Sequence, residues 1–127
     1  MANVPDDLLY TEEHEWVSGE VIAGAVVTAG ITEYAASALG DIVYVEVPAV
    51  GDSVTAGIVC GELESTKAVS EFFSPVTGTV AEVNGRLAES PELLNADSYG
   101  EGWILKIKVS APNKKLLNAE QYAAITE

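Results

Sequence analysis

No lysine or arginine occurs before position 67. Along the whole chain six basic residues stand against twenty acidic ones, for a formal net charge of −14 and a pI of about 4.1. A surface of that sign repels the phosphates of nucleic acids and of anionic membranes, so neither is expected as a partner, and it suits basic faces on partner proteins. Cysteine occurs once. Cys60 therefore has no internal disulfide partner, which fits a reducing compartment, and within an apolar run it reads as a small core hydrophobe rather than a nucleophile. Histidine also occurs once, as His14 between Glu13 and Glu15, and a single imidazole without nearby cysteines is a poor metal site. No apolar run approaches the roughly 20 residues of a membrane-spanning helix, and the longest candidate, Val21 to Ala29, is interrupted by Gly24. The acidic start Met1 to Asp7 has neither the basic segment of a secretory signal nor the arginines of a transit peptide, so a bacterial cytoplasmic protein or a mature mitochondrial-matrix one is expected. A nucleophile–base pair, a phosphate loop and a metal cluster are all missing from the sequence, which argues against an enzyme acting alone.

What the chain does contain is β-sheet patterning. With 127 residues, residues 1–127 are expected to form one domain that buries about two-thirds of its unfolded surface. A short strand is expected around Trp16-Val17, a turn at Ser18–Glu20, and two strands in Val21–Ala23 and Ala25–Thr28 separated by Gly24. Residues 30–40 turn helical, with Thr32 as N-cap, Gly40 as stop, and Ile31, Ala35, Leu39 and Tyr34 toward the core. Asp41–Val47 reads as a strand with Val43, Val45 and Val47 on its apolar face, ended by Pro48. Further on, Thr79–Asn84 is a strand followed by an Asn84-Gly85 turn. Ser90–Leu94 is a helical turn capped by Ser90, and Asn95–Gly102 is a polar loop. Trp103–Val109 is the closing strand, and 114–117 and 119–126 are short terminal helices.

Lys67, the first basic residue, lies between two strand-like runs, Gly57–Leu63 and Val69–Phe73. Ser65, Thr66 and Ala68 occupy the reversal, which places Lys67 at the tip of a tight hairpin. Turn-then-strand units flank it on both sides, Gly51-Asp52-Ser53-Val54 before and Ser74-Pro75-Val76-Thr77-Gly78-Thr79-Val80 after. The pair forms a weak internal repeat, as in a flattened β-sandwich with the lysine at one end.

Gly51–Val54, then Glu64-Ser65-Thr66-Lys67-Ala68, then Ser74–Val80 together resemble the module that carries biotin or lipoic acid on a lysine. Biotin carriers usually flank that lysine with methionines, whereas Thr66 and Ala68 stand here, and Glu64 and Glu71 resemble the acidic flanks of lipoyl lysines. Tyr10-Thr11 with His14-Glu15-Trp16, the run Gly30–Ala35, and Val83–Leu87, Ser90–Asn95 and Tyr99–Val109 extend the resemblance to the glycine cleavage system H protein family, over about residues 4–126. The resemblance implies a mainly β fold, a flattened β-sandwich or barrel-sandwich hybrid of the lipoyl/biotinyl carrier type with a few short helices. It also implies lipoic acid joined as an amide to Lys67. Glu15 matches the family's acidic residue in the cleft where the arm rests, and Tyr34 stands there where many members have histidine. The implied partners are a lipoate-attaching enzyme, a pyridoxal-phosphate glycine decarboxylase, a tetrahydrofolate-dependent aminomethyltransferase and a flavin-dependent dihydrolipoyl dehydrogenase, with the aminomethyl group shuttled between the middle two. An H-like lipoyl donor for another pathway, a biotin carrier and an unmodified acidic interaction module are the alternatives.

Overall fold

The computed structural model describes residues 3–126. Strands β1 (Leu9–Tyr10), β2 (Glu15–Ser18) and β3 (Val26–Ile31) lead into helix α1 (Glu33–Leu39). Then come β4 (Ile42–Glu46), β5 (Ser53–Val54), β6 (Val59–Ser65), β7 (Val69–Phe73) and β8 (Thr77–Val83). A 3-10 turn (Gly85–Ala88), α2 (Leu93–Ala96), β9 (Leu105–Ala111) and α3 (Ala119–Thr126) complete the order. The strands form an antiparallel six-stranded sheet, β1-β2-β3-β9-β8-β5, and a three-stranded one, β4-β6-β7. The expected sandwich is thus present, as two sheets not closed into a barrel. The two flanking turn-then-strand frames meet as direct partners, with Ser53 opposite Thr79 and Val54 opposite Gly78.

Alternation of side chains along the strands builds the core. Val27, Ala29 and Ile31 of β3 and Leu105, Ile107 and Val109 of β9 point inward and pack with Ile42, Leu63 and Phe72 of the small sheet. Burial of each large aliphatic or aromatic side chain there contributes about 1.5–3 kcal/mol. Trp16, next to the inward Val17, points to the other side of the large sheet and joins Leu8, Tyr10 and Tyr122 in a second cluster. Through it α3 is docked, with Tyr10 and Tyr122 stacked at 4.6 Å between ring centroids.

Several sequence expectations are corrected. Val21–Ala23 is not a strand: Gly24, at φ +91°, sits in a turn whose Ala25 N–H donates to the Ile22 carbonyl, and one strand runs on through Gly30 and Ile31. The short strand expected around Trp16-Val17 is β2, and it pairs with β1, Leu9–Tyr10, which the sequence does not mark. In β4 a bulge between Ile42 and Tyr44 breaks the simple alternation, so Val43 is exposed while Val45 and Val47 pack on the core. Of the residues expected toward the core, Ile31 is buried and Ala35 and Leu39 pack on it, but Tyr34 lies at the surface, and the buried residue of α1 is Ala36. The turn expected at Asn84-Gly85 is a 3-10 turn, which Asn84 caps by accepting the Arg86 N–H. Helix α2 starts at Leu93 without a Ser90 side-chain cap and takes in Asn95, which sequence placed in a loop. Residues 114–117 are not helical, because Leu117 pairs with Tyr10 as an isolated bridge. Thr32 as N-cap, Gly40 as stop and α3 over 119–126 match expectation.

Gly78, inside β8, faces the β9 backbone so closely that a Cβ would run into the Lys108 carbonyl oxygen. Gly78→Ala is expected to lower stability by roughly 2–3 kcal/mol in urea unfolding. Gly85→Ala, whose added Cβ would meet open space, should stay within about 0.5 kcal/mol.

Candidate functional site

Strands β6 and β7 pair from Val59↔Phe73 to Glu64↔Val69, leaving Ser65 to Ala68 as the connection. Ser65 closes it. Its N–H and its hydroxyl donate to the Ala68 carbonyl at 2.8 and 3.2 Å, and its Oγ accepts the N–H groups of Lys67 and Ala68 at 3.2 and 3.0 Å. Among the described non-glycine residues only His14 takes a positive φ, so Thr66 and Lys67 do not form the mirror-image turn usual for two-residue loops. The Ser65 hydroxyl supplies the bonds that hold this turn together.

The tip rests on the end of α1. Thr66 N–H donates to the Asp41 carbonyl at 3.1 Å. The exposed Lys67 side chain crosses Gly40, where a Cβ would stand 3.1 Å from Lys67 Cε. Gly40 ends the helix at φ +85°, a conformation that favours glycine, with its N–H on the Ala36 carbonyl. Asn95 of α2 fastens this end: its Nδ2 donates to the carbonyls of Gly40 (2.8 Å) and Ala36 (3.4 Å), and its Oδ1 accepts the Ile42 N–H at 2.9 Å.

The expected frame of Glu64, Ser65, Thr66, Ala68 and Glu71 surrounds Lys67 as the hairpin requires. Glu46, Glu62 and Glu71 stand opposite one another across all three strands of the small sheet, and Glu64 faces Tyr44 and Val69. All four carboxylates are exposed. Like charges directly opposed across a sheet cost about 0.2–1 kcal/mol each, so the row is not there for stability.

Glu15 and Tyr34 lie elsewhere. Tyr34 is in the first turn of α1, six residues from Gly40, about 9 Å along the axis. Its ring lies 4.8 Å from that of His14. His14 Nδ1 hydrogen-bonds Tyr122 Oη at 2.8 Å, and that hydroxyl also bonds Thr32 Oγ1 at 2.7 Å, the atom that caps α1. Burial holds the His14 pKa below its usual value. Glu15 is 1% exposed and sits against the open end of the lysine hairpin, where its carboxylate accepts the Thr11 hydroxyl at 2.6 Å and the Phe73 N–H at 3.4 Å. Phe73 is six residues from Lys67, about 20 Å of extended strand. Sequence therefore grouped Glu15 with the lysine more closely than the fold does. Burial pushes the Glu15 carboxyl up to about 7, against the lowering effect of the Thr11 and Phe73 hydrogen bonds. Burial first, and then Glu15, pushes the Cys60 thiol up to about 12, which keeps it protonated and inert.

Asn95 and Gly40 escaped sequence reading as site residues. Gly40 showed only its helix-ending role, and nothing local marks an asparagine whose partners lie more than 50 positions away. Among the described residues no His/Cys/Asp/Glu group could hold a metal ion, and no helix is long and apolar enough to cross a membrane.

Because folding raises the Glu15 pKa from 4.5 to about 7, the folded state binds this proton more tightly. Its contribution is fully present below pH 4.5 and is lost as pH rises through 7, a change of about 3 kcal/mol. Glu15→Gln should remove that component, so that the stability difference between variant and parent grows between pH 4.5 and 7 in denaturant titrations. A difference that stays flat over this range would contradict the assignment.

The family model described as Glycine cleavage H-protein matches residues 8–127. The chain is 52% identical over 124 residues to the glycine cleavage system H protein of Beutenbergia cavernae, covering 98% of this chain and 97% of that one. Its identity to the H protein of Thermobifida fusca is 52% over 125 residues, with the same coverage of 98% and 97%. The crystal structure of a glycine cleavage system H protein from Mycobacterium marinum superposes with a TM-score of 0.89 at 41% identity, over 95% of this chain and 97% of that one.

Proposed function

The chain belongs to the glycine cleavage H-protein family, and on that premise we propose that Lys67 is the lipoyl attachment point of a single carrier domain spanning residues 1–127. Its role is that of a lipoyl carrier in glycine cleavage. The observation that carries the lysine assignment is the geometry of the tip: an exposed amine on a turn held by Ser65, lying over a glycine whose missing side chain leaves room for it. A lipoyl amide fits there, since Lys67 is exposed and its Nζ would stand 3.7 Å from a Cβ on Gly40, in space that the glycine leaves open. Once attached, lipoate supplies a ring disulfide able to accept two electrons and a transferred group.

The chain's own residues present and shelter that arm. The Ser65 bonds and the Thr66–Asp41 bond hold the base of the arm fixed. Acylation turns the Lys67 ammonium into a neutral amide, so the arm enters buried partner sites without desolvating a charge. We assign shelter of the loaded arm to the surface running along α1 from Gly40 to Tyr34, where the His14 ring packs against Tyr34, with the buried Glu15, next in sequence to His14, supporting it from within. Acting in the bacterial cytoplasm, the carrier would be loaded by a lipoate-attaching enzyme. It would then pass between a pyridoxal-phosphate glycine decarboxylase, an aminomethyltransferase and a dihydrolipoyl dehydrogenase, which hold the catalytic groups.

Intact mass spectrometry of protein from its native host should show an addition equal to lipoic acid less one water, mapped to Lys67 and absent from Lys67→Arg. Biotin less one water, or no addition in cells that lipoylate other proteins, would overturn the assignment. Glu15→Gln and Tyr34→Ala should each speed loss of the aminomethyl group from the loaded protein about fivefold, the equivalent of one net hydrogen bond. Unchanged release from both would remove the sheltering role.

A further inference from the structure

From the Gly40 junction we infer that Asn95 is a positioning residue for modification of Lys67, acting through the backbone of residues 40–42. The inference rests on the reading of Lys67 as the lipoyl attachment point. Asn95 touches neither Lys67 nor its turn. It holds what they lie on: both donors of its amide go to the last carbonyls of α1, and its carbonyl takes the first N–H of β4. The two-residue step between those anchors, Gly40-Asp41, is the step that receives the hairpin tip. Gly40 lies under the lysine stem and Asp41 accepts Thr66 N–H. No other side chain bonds the backbone of Gly40 or Ile42 among the described residues. Without the amide, the Gly40 carbonyl loses a donor that the helix does not replace, while the Ala36 carbonyl keeps only the Gly40 N–H, and the step is free to shift relative to the turn.

The substitution Asn95→Asp separates the two halves of this bridge. The carboxylate still accepts Ile42 N–H, but it sets negative oxygens against the Gly40 and Ala36 carbonyls at the negative end of a helix. Asn95→Ala removes all three bonds. Ser98→Ala serves as the control for general loosening of this region: it deletes the 2.5 Å Ser98 Oγ–Leu94 O bond at the end of α2 and leaves the Asn95 bridge intact.

The test is steady-state lipoate attachment by a purified lipoate ligase acting on the unmodified full chain, with hydrogen exchange read at the Thr66 amide. Both Asn95 variants should raise KM for the carrier about tenfold, the effect of losing one to two net hydrogen bonds in positioning, with kcat within about twofold because the amine itself is untouched. Thr66 should lose protection in both, while Val80 in β8 keeps its own. Ser98→Ala should behave as wild type in KM and at Thr66. A KM unchanged in the Asn95 variants, a Ser98→Ala effect of the same size, or a Thr66 amide as protected as before would each overturn the inference. Should either Asn95 variant fail to fold, the other one and the Thr66 exchange measured on it decide. Wild-type protein that takes up no lipoate at Lys67 would instead defeat the attachment reading on which the inference stands.

Discussion

The end of a helix leaves carbonyls that must find donors, and in this protein that requirement locates the lysine. α1 has only seven residues, too short to be stable by itself in water. At its C-terminal end the Ala36 and Gly40 carbonyls are bonded by Gly40 N–H and the Asn95 amide, and at its N-terminal end Ala35 and Ala36 N–H go to Thr32, whose hydroxyl is itself bonded to Tyr122, while Glu33 N–H goes to the Tyr99 hydroxyl. Both ends are therefore tied by groups from α2 and α3, residues that follow the lysine hairpin in sequence. The hairpin tip then binds to the tied helix end through Thr66. A small helix becomes a fixed shelf beside a turn that would otherwise be held only by its own hairpin.

The same arrangement separates reactive groups from the tip. The buried groups with strongly raised pKa values are Tyr10, Glu15, Cys60 and Tyr122. Tyr10 and Tyr122 stack in the second cluster, with Tyr122 bonded to Thr32 at the N-terminal end of α1, and Glu15 and Cys60 lie at the base of the hairpin beside Phe73. At the turn, Ser65 has its oxygen fully engaged in bonds to Lys67 and Ala68. A carrier gains from this, because a free nucleophile or base beside the arm would react with the cargo before a partner did.

The sheets were legible in the sequence because side-chain period and turn residues act locally. Leu105, Ile107 and Val109 alternate whatever their partners are, whereas β3 reads as strand only as far as Thr28, and its last residues, Gly30 and Ile31, read as part of the helical stretch. The hairpin at Lys67 and the caps of α1 were legible for the same reason. The Ile42–Tyr44 bulge was not, since it arises from the register of β4 against β6. Nor was the start of α2, where Pro91 and Ser90 supply turn bonds but the helix begins once Leu94 can be buried. Family resemblance brought Glu15 to the site as a residue type, but its distance from the lysine depends on how β2 lies against the hairpin base, which no local pattern encodes. Asn95 is the extreme case: its meaning lies wholly in partners more than 50 positions away.

The glutamate row across β4, β6 and β7 is best understood with the lysine in its modified state. The proposed acylation of Lys67 would take the formal charge from −14 to −15 (−14 − 1), removing the cation at the end of an acidic sheet. Repulsion within the row persists whether or not a partner is present, at a few tenths of a kcal/mol per pair. The field it creates reaches outward only about a Debye length, 8–10 Å at physiological salt. Within that distance a basic rim around a partner's entrance would feel the sheet while the neutral arm passes inside. On the proposed reading, attraction would be carried by residues fixed in the fold and the moving part left uncharged, so the force that brings partners together would not also hold the arm back.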